Sequence, residues 1–561
     1  MKKTLLFAFT LTFSFITFCQ TTNEGEPLSW DLLETKTEIT PVKLEIVDIQ
    51  KIRIEDENND RTPGKPWRSG ILREIDYGLT KGGYWTELDN GDRIWRIVFE
   101  SPDALNMSFN FSKFYLPNGA NLYLYSDDRS DLLGAYTSQV NNESKMLGTW
   151  FVQSDKVWIE YFEPQEVRGK GELSISSLVH GYRLGHEFQK GYYSNAQLKA
   201  LNDSGDCNHD VDCPIGNDFE ARKDVLKKSV AFLNMGNGFI CSGALANNTA
   251  QDKTPYFLTA NHCYFDGGGN PSDPALYSMR FNWISPNPVC GATTNSTNGP
   301  TNFTMNGSVL RARSEASDYM LVELNNDIPA GWDVVYAGWD KTDSFPSFEV
   351  GIHHPSGDIM KVSRDDTGAA KATSSGTSLW LIGGTSFGTG NGWEIGVTEG
   401  GSSGSPLFNQ NGHIIGELFA GLAACSGTGD NDDYDIYGRF AIAWEGSNQT
   451  TRLKDWLDPG NLNPNTLDEF KNVLATNDEL LEQNITLFPN PTTGLIQVKI
   501  AEISGDLQYD VFNLLGQKLR SNTLKRGEAI DLSMLPNSIY LIRVTDLERN
   551  ASLTKKIVLN K

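Results

Sequence analysis

The segment Gly400–Pro406 contains the residue types that activate a serine. From Gly401 it reads G-S-S-G-S-P, and the pattern G-x-S-G-x-P is typical of a serine nucleophile whose loop also offers backbone N–H groups to a developing oxyanion. A serine hydroxyl is a poor nucleophile near neutral pH, so it needs a base within hydrogen-bond reach and a group that orients this base. The pattern therefore indicates acyl transfer, with a histidine and an acid supplied from elsewhere in the chain.

Two upstream segments offer these groups. A T-A-x-H-C segment contains His262, and Asp318 directly precedes the apolar, strand-like run 319–324. The order His, Asp, Ser is that of the chymotrypsin-like proteases. We predict Ser403 as the nucleophile, His262 as the general base and Asp318 as the residue that holds the imidazole. The N–H groups of Gly401 and Ser403 are predicted to form the oxyanion hole.

Composition and the N-terminus indicate an exported protein with several domains. The chain has 561 residues and a net charge of -23, which argues against nucleic-acid binding because that function needs a basic face. Lys2 and Lys3 precede an apolar run over 5–18, which is long enough for a signal peptide and too short for a membrane span. We predict a signal peptide over 1–19 and no stable membrane span.

The cysteines point to disulfides. One of the seven cysteines lies in the signal peptide, and an even set of six in an exported protein is typical of a disulfide framework. The six are Cys207, Cys213, Cys241, Cys263, Cys290 and Cys425. Six cysteines allow 15 pairings, and the residues alone do not choose among them. A zinc site is disfavoured, because there is no C-x-x-C pair and the compartment is oxidising. We predict no metal and no cofactor.

Strand-sized apolar runs between turn residues predict an all-β chain. Residues 20–199 are predicted to be a β-sandwich propeptide, with an independent binding module as the alternative. Residues 200–462 hold the six cysteines and the candidate catalytic residues, as in a double-barrel enzyme. Residues 463–483 are polar and acidic, which predicts a linker, and 484–561 are predicted to form a small β-sandwich.

The C-terminal unit resembles the sorting domains of proteins exported by the type IX secretion system. The resemblance rests on F-P-N-P-T-T-G at 488–494, V-F-N-L-L-G-Q at 511–517 and K-K-I-V at 555–558. It implies that the secretion machinery is a partner of this unit. It also implies passage through the periplasm and across the outer membrane, to a secreted or surface-attached location.

Residues 207–460 resemble the lysyl endopeptidases, a bacterial branch of the chymotrypsin fold. The matching segments are 239–243, 317–326, 337–340, 352–355, 396–399, 435–439 and 455–459. The resemblance implies a chymotrypsin-like double β-barrel and hydrolysis of peptide bonds on the carboxyl side of lysine. It also implies three disulfides: Cys207–Cys425, Cys213–Cys290 and Cys241–Cys263.

The resemblance places the substrate-binding acid at Asp435. In the trypsin branch the pocket acid lies six residues before the nucleophile, and that position here is Val397, which cannot bind a cation. A buried carboxylate opposite a substrate ammonium selects lysine as a point charge, which differs from the planar fork of arginine. Asp435 as an ordinary loop acid, or as part of a calcium site with its acidic neighbours, is the alternative.

Maturation is predicted to be proteolytic. Ser402 stands where trypsin-type enzymes have the aspartate that captures a new N-terminus, so activation by that ion pair is not expected. A lysine-specific enzyme made as a zymogen would cut between Lys199 and Ala200, with Lys190–Gly191 as the second choice. One departure from the family is Phe419, where some members carry a histidine near the catalytic site.

The sequence thus predicts a secreted serine endopeptidase that acts on protein or peptide substrates containing lysine. Arginine, mixed or other specificity on the same fold is one alternative. A catalytically weak protein that uses the protease fold for adhesion or binding is the other.

Overall fold

The chain forms two compact units, Met1–Asn472 and Val473–Lys561, in a computed structural model. The structure describes residues 25–32, 39–60, 62, 64–184, 201–374, 376–385, 392–471, 485–500, 507–513, 517–524, 529–546 and 551–561. The predicted signal peptide and the predicted cut between Lys199 and Ala200 lie outside the described residues. Within those ranges, helices are short, and none has the length and apolar character needed to cross a bilayer.

The first unit begins with a β-sandwich. Its elements are β1 (Val42–Lys43), α1 (Ile49–Asn59), β2 (Trp67–Arg68), β3 (Gly70–Gly78), β4 (Tyr84–Glu87), β5 (Arg93–Glu100), β6 (Asn106–Tyr115), β7 (Asn121–Ser126), β8 (Leu132–Tyr136), β9 (Leu147–Gly148), β10 (Lys156–Glu163) and β11 (Glu172–Gly181). One sheet has the order β1-β5-β10-β7-β8 with β4 on β5, and the other is β3-β11-β6-β9. Alternating apolar residues such as Phe109 and Phe111 are fully buried between the sheets. These strands agree with the strand-rich character that the sequence predicts for this part of the chain.

Residues 201–471 of the same unit form two large, mainly antiparallel sheets and two two-stranded sheets, in keeping with the chymotrypsin-like β architecture that the sequence predicts. Their elements are β12 (His209–Asp210), α2 (Glu220–Leu226), β13 (Val230–Asn234), β14 (Phe239–Leu245), β15 (Tyr256–Ala260), β16 (Ser278–Phe281), β17 (Thr304–Asn306), β18 (Ser308–Ser314), β19 (Tyr319–Leu324), β20 (Val335–Tyr336), β21 (Trp339–Asp340), β22 (Glu349–His353), β23 (Lys361–Asp365), β24 (Ala370–Ser374), β25 (Thr377–Ile382), β26 (Pro406–Asn409), β27 (Ile414–Gly421), β28 (Cys425–Ser426), β29 (Gly429–Asp430), β30 (Asp435–Arg439), α3 (Phe440–Trp444), α4 (Lys454–Leu457), β31 (Thr466–Leu467) and β32 (Phe470–Lys471).

The two sheets share one apolar core. The first has the order β17-β16-β13-β14-β15-β19-β18, and the second has the order β12-β23-β22-β26-β27-β30-β25-β24. Side chains from the first, such as Leu258 and Leu321, pack with Ile352 and Phe408 from the second. Burial of this apolar area is the main force that holds the two sheets together. The loops that the sheets carry therefore stay in fixed positions relative to one another. These loops carry all the candidate catalytic residues.

The segment 463–471 differs from the prediction of a linker. Its strands β31 and β32 pair with β21 and β20, and the ring of Phe470 lies 6.4 Å from that of Tyr336. These two short strands left no signal in the sequence because the segment is mostly polar. One leucine and one phenylalanine are enough to attach the strands to the core. Residues 472–484 lie outside the described part.

The second unit is a small β-sandwich, as predicted. Its strands are β33 (Ile485–Phe488), β34 (Leu495–Ile500), β35 (Leu507–Phe512), β36 (Lys518–Leu524), β37 (Ala529–Asp531), β38 (Ser538–Asp546) and β39 (Ala551–Leu559). They form the sheets β33-β34-β37 and β36-β35-β38-β39. The core between the sheets includes Ile496, Val511, Ile530 and Ile542, which are fully buried.

Candidate active site

Strand register brings His262 and Asp318 together. β15 and β19 are antiparallel neighbours with Ala260 opposite Tyr319, so the residues just beyond those ends face each other. The His262 N–H donates to Asp318 Oδ1 at 2.9 Å, and His262 Nδ1 lies 2.7 Å from Asp318 Oδ2. Both side chains are buried. Two contacts on one carboxylate fix the orientation of the imidazole, so that Nε2 is the nitrogen left for proton transfer.

The surroundings of this pair control its charge. Burial raises the pKa of the Asp318 carboxyl, and the hydrogen bonds from His262 oppose that rise. Glu417 on β27 is fully buried nearby, and burial raises its pKa well above the usual value, with a further rise from Asp318. Glu417 therefore favours its neutral form and does not compete with Asp318 for the imidazolium. Sequence reasoning missed Glu417, because an acid inside an apolar strand gives no pattern of its own.

The Ser403 loop is held by its backbone. Gly404 N–H donates to Leu418 O on β27 at 2.8 Å, and Ser242 N–H on β14 donates to Ser403 O at 2.8 Å. Gly404 has a φ of 79°, and a Cβ at this position would lie 2.1 Å from Thr259 Oγ1, so the turn requires glycine. The loop is thus attached to both sheets.

Two N–H groups of this loop point to no protein acceptor. Among the described residues, no acceptor is bonded to the N–H of Gly401 or Ser403, although the N–H groups of Ser402 and Ser405 are satisfied within the loop. Gly401 has a φ of 96°, which turns its peptide away from the chain path of an ordinary residue. These are the two donors that the sequence predicts for the oxyanion hole.

Ser403 lies beside the residue that follows His262. Cys263 Sγ is 3.9 Å from Ser403 O, and the Ser403 side chain is half-buried. Within the described ranges, no hydrogen bond joins the Ser403 hydroxyl to His262 Nε2. Catalytic hydrogen bonds are often long in structures without substrate and shorten when the substrate is bound.

Ser402 is held by a histidine instead of an ion pair. His353 Nδ1 lies 2.8 Å from Ser402 Oγ, and its Nε2 lies 2.9 Å from Ser363 Oγ. The Glu399 N–H also donates to Ser402 Oγ at 3.2 Å. Burial lowers the pKa of His353 to about 3, so the ring is neutral and bridges the two hydroxyls. The sequence showed that Ser402 replaces an acid, but His353 lies 49 residues away and gave no signal as its partner.

Asp435 is a buried carboxylate with one oxygen in use. Its Oδ2 accepts from Trp393 Nε1 at 2.7 Å and from Thr398 Oγ1 at 2.8 Å. Its Oδ1 has no hydrogen-bond partner among the described residues. Burial raises the pKa of Asp435 to about 7, against the lowering effect of the two donors. A buried acceptor of this kind is costly unless a ligand satisfies it.

Asp435 lies against a glycine of β27, the strand that also holds the serine loop. Asp435 pairs with Gly421, and a Cβ on Gly421 would lie 1.6 Å from Asp435 Oδ1. Gly421 is three residues along β27 from Leu418, which holds the serine loop, so about 10 Å of strand separates them. Val397 is fully buried in the apolar core. Of these two positions, only Asp435 on β30 carries a carboxylate that could face a substrate cation.

Disulfide bonds join the six cysteines as Cys207–Cys425, Cys213–Cys290 and Cys241–Cys263. The third pair ties β14 to the catalytic histidine turn. The first pair ties the segment after residue 200 to the loop that precedes Asp435. Glu399 holds the same segment, accepting from Gly205 N–H at 2.9 Å and from Asn208 Nδ2 at 3.0 Å.

Phe419 packs edge-on against the catalytic histidine. The two ring centroids are 5.9 Å apart with an interplanar angle of 69°. The aromatic ring packs against the imidazole and carries no titratable group.

Comparisons with known proteins match the two regions for which the sequence shows a resemblance. Residues 201–438 match the family model described as lysyl endopeptidase, C-terminal domain, and 486–560 match the secretion system C-terminal sorting domain. A curated lysyl endopeptidase from Pseudomonas aeruginosa is 27% identical over 294 residues, which are 50% of this chain and 59% of that protein. The chain thus spans about three fifths of the relative's length. Both resemblances drawn from the sequence are confirmed, and the second match indicates export from the cell.

Solved structures give weaker likenesses. A serine endoprotease from Yersinia pestis has a TM-score of 0.24 and 12% identity, over 62% of this chain and 98% of that chain. An inactive mutant of a protein from M. tuberculosis also has a TM-score of 0.24, with 11% identity over 39% of this chain and 84% of that chain.

Proposed function

We propose that this protein is an exported serine endopeptidase, made as a zymogen, that hydrolyses peptide bonds on the carboxyl side of lysine. The observation that supports the lysine specificity most is Asp435 Oδ1, a buried carboxylate oxygen without a partner among the described residues. The His262–Asp318 hydrogen bond supports the hydrolytic chemistry. The family match supports both, because it covers the residues that carry them.

In the first half of the reaction, Ser403 Oγ attacks the carbonyl carbon that follows the substrate lysine, and His262 Nε2 takes the hydroxyl proton. Asp318 stabilises the imidazolium through the 2.7 Å contact with Nδ1. The carbonyl oxygen becomes an oxyanion that the N–H groups of Gly401 and Ser403 bind. When the C–N bond breaks, His262 returns the proton to the leaving amine, and an acyl ester remains on Ser403.

The second half repeats these roles with water. His262 takes a proton from water as its oxygen attacks the acyl ester, and the same two N–H groups bind the new oxyanion. Breaking the ester bond returns the proton to Ser403 Oγ and releases a carboxylic acid, which then gives its own proton to solvent and becomes the carboxylate. Each half balances in atoms and charge without a cofactor.

Asp435 would set specificity through charge. The contact between a lysine ammonium and Oδ1 would compensate both groups for the water that they lose. It would also favour the ionised form of the carboxyl near neutral pH. Since both groups are out of water, their attraction is stronger than on a surface. Trp393 and Thr398 hold the other oxygen, so the carboxylate presents one fixed acceptor, which suits an ammonium better than a planar guanidinium.

Export and maturation complete the proposal. The C-terminal sandwich would direct the chain to the type IX secretion machinery, through the periplasm to the medium or the cell surface. Cleavage between Lys199 and Ala200 would then release the enzyme. Its new N-terminal segment would be held in place by Glu399 and by the Cys207–Cys425 bond.

The test is hydrolysis of four peptides that differ in the residue before the scissile bond: Lys, Arg, Glu or Phe. The matured protein should cut after Lys, and Ser403→Ala should cut none. Asp435→Asn should lose the Lys peptide. Equal cutting after Arg would replace lysine specificity by basic specificity, and no cutting by matured protein would favour a binding role.

A further inference from the structure

A short segment of the N-terminal sandwich crosses the candidate active site. This segment, Gly64–Arg68, lies between α1 and β3 and is called the strap below. Gly64, Lys65 and Pro66 line a cavity of about 350 Å³ together with His262 and Asp318. The strap is therefore placed at the catalytic pair itself.

The backbone of the strap adds a strand to the catalytic sheet. β2 pairs antiparallel with β14, with Trp67 opposite Ile240 and Arg68 opposite Phe239. Directly after it, the N–H groups of Ser69 and Gly70 donate to Gly238 O at 2.7 and 3.0 Å. An extended peptide binds a sheet edge by the same main-chain hydrogen bonds. The strap thus occupies a sheet edge of the kind that an extended peptide can bind.

The strap contacts the serine loop at Gly400 and the neighbouring strand β27 at Phe419. A Cβ on Gly400 would lie 2.1 Å from Trp67 Cδ1, so the indole rests directly on the residue before Gly401. A Cβ on Gly64 would lie 2.8 Å from Phe419 Cε2. At both contacts a glycine allows the close approach. The strap and the cleft are therefore complementary in shape.

Lys65 lies in the cleft without entering the Asp435 pocket. Its Nζ donates to Gly267 O at 2.9 Å and to Asn59 Oδ1 at 3.4 Å, while Asp435 Oδ1 has no partner among the described residues. The next residue, Pro66, is buried and has no N–H, and its ring restricts the residue before it. The strap thus fills the cleft while keeping its lysine away from the specificity carboxylate.

The sandwich holds the strap from behind. Arg68 Nη2 forms an ion pair with Asp56 Oδ1 of α1 at 2.7 Å, and Tyr182 donates to Asp56 Oδ2 at 2.5 Å. Arg183 also pairs with Asp56 at 3.0 Å, and its guanidinium carbon lies 4.4 Å from the centre of the Trp67 ring. Asp56 is fully buried, so removal of the strap from the cleft requires displacement of this whole cluster.

We propose that the strap is the inhibitory element of the precursor, which blocks peptides from the cleft until the N-terminal sandwich is removed. This inference rests on the proposed function, since it concerns the same site. Glu399, Asn208 and the Cys207–Cys425 bond already hold the segment after residue 200, and the serine loop is already bonded to both sheets. The latency of the precursor therefore comes from a blocked cleft and not from an unformed oxyanion loop.

The experiment uses the full chain with Lys190→Gln and Lys199→Gln, to slow maturation. The rate at which a fluorophosphonate carried on a short peptide labels the unprocessed band is compared with the rate for the matured wild-type band. Trp67→Ala and Pro66→Gly remove the indole contact and the stiffness of the strap. Trp158→Ala is the matched control, because Trp158 stacks on Tyr125 within the sandwich.

The unprocessed band should label at least about tenfold more slowly than the matured band, and each strap variant should recover about tenfold or more, because truncated interface tryptophans are commonly the most costly. Trp158→Ala should leave the slow rate unchanged. Equal labelling of unprocessed and matured wild type would overturn the proposal. So would slow labelling in both strap variants when their circular dichroism is native. If the matured band neither labels nor cuts peptides, the proposed function itself is wrong.

Discussion

Two buried aspartates of the protease domain, Asp318 and Asp435, differ in how many of their carboxylate oxygens accept hydrogen bonds. Both oxygens of Asp318 accept hydrogen bonds from His262, one from the backbone and one from the ring. Asp435 has two donors on one oxygen and, among the described residues, none on the other. Burial raises the pKa of both carboxyls.

The difference indicates what each carboxylate is for. Under the proposed function, Asp318 would face a cation that forms inside the protein, the imidazolium, so the fold can supply its partner permanently. Asp435 would face a cation that arrives with the substrate, so the fold has to leave its partner out. A buried oxygen without a hydrogen bond lowers the folding stability of the protein without substrate, a cost that is common at binding sites. Substitutions at the two aspartates and at residues of the same site test this difference.

Asp318→Asn should have the largest effect. The amide keeps the shape but can hold the wrong tautomer of His262, and the comparable change in a serine protease lowers kcat by about 10⁴. KM should change little, because Asp318 does not reach the substrate. Steady-state kinetics on a lysyl ester or peptide measure this split. A loss confined to KM would contradict the assigned role.

His353→Leu should lower kcat by about ten- to a hundredfold. The change removes the neutral bridge between Ser402 and Ser363, so the Gly401 and Ser403 N–H groups lose their fixed position, which is worth less than the loss of a donor itself. His353→Gln can bond both hydroxyls and should recover part of kcat. Equal losses in the two variants, or a loss in KM alone, would indicate a merely structural histidine.

Asp435→Asn should make the folded protein more stable at pH 8. The folded state keeps the Asp435 proton up to about pH 7, whereas the ordinary value is 3.8, so rising pH between these values costs wild-type stability. The amide does not ionise, and the gain should be on the order of 1–3 kcal/mol.

Thermal unfolding at two pH values checks that gain. The difference in Tm between Asp435→Asn and wild type should be largest at pH 8 and clearly smaller at pH 5, because the charge contribution falls as the pH drops from about 7 towards the ordinary value of 3.8. An equal difference at both pH values would show that packing, rather than charge, separates the two proteins.

Phe419→Leu should have the smallest effect, a loss of about two- to tenfold in kcat/KM. The edge-to-face contact with His262 is worth about 0.5–1.5 kcal/mol, and leucine keeps part of the packing. Phe419→Tyr keeps the ring and should remain close to wild type. A tyrosine variant as poor as the leucine variant would mean that the ring does not act through His262.

Strand-rich architecture and the catalytic pair could be predicted from the sequence for different reasons. The alternation of apolar residues over 105–111 predicts β6, because successive side chains of a strand point to opposite faces of the sheet. His262 and Asp318 stand at strand ends, where a short motif fixes the local backbone. Residues that lie in a short motif at the end of a strand can therefore be assigned to the site from the sequence.

Long-range partners could not be predicted in the same way. Trp393 and Thr398 on Asp435, His353 on Ser402 and the strap across the cleft depend on pairings between segments far apart in sequence. Residues 463–471 looked like a linker because two apolar side chains do not make a pattern. These contacts exist because the shared core brings the segments together.

The most direct test of the Asp435 account removes the charge from each side of the pair. Values of kcat/KM are measured for a lysine peptide and its norleucine counterpart, which lacks the ammonium, with matured wild type and Asp435→Asn at pH 8. We predict that wild type prefers lysine by about 10²–10³, in keeping with a close buried charge pair, and that Asp435→Asn has nearly no preference. A lysine preference that survives in Asp435→Asn would contradict the account and place the specificity elsewhere.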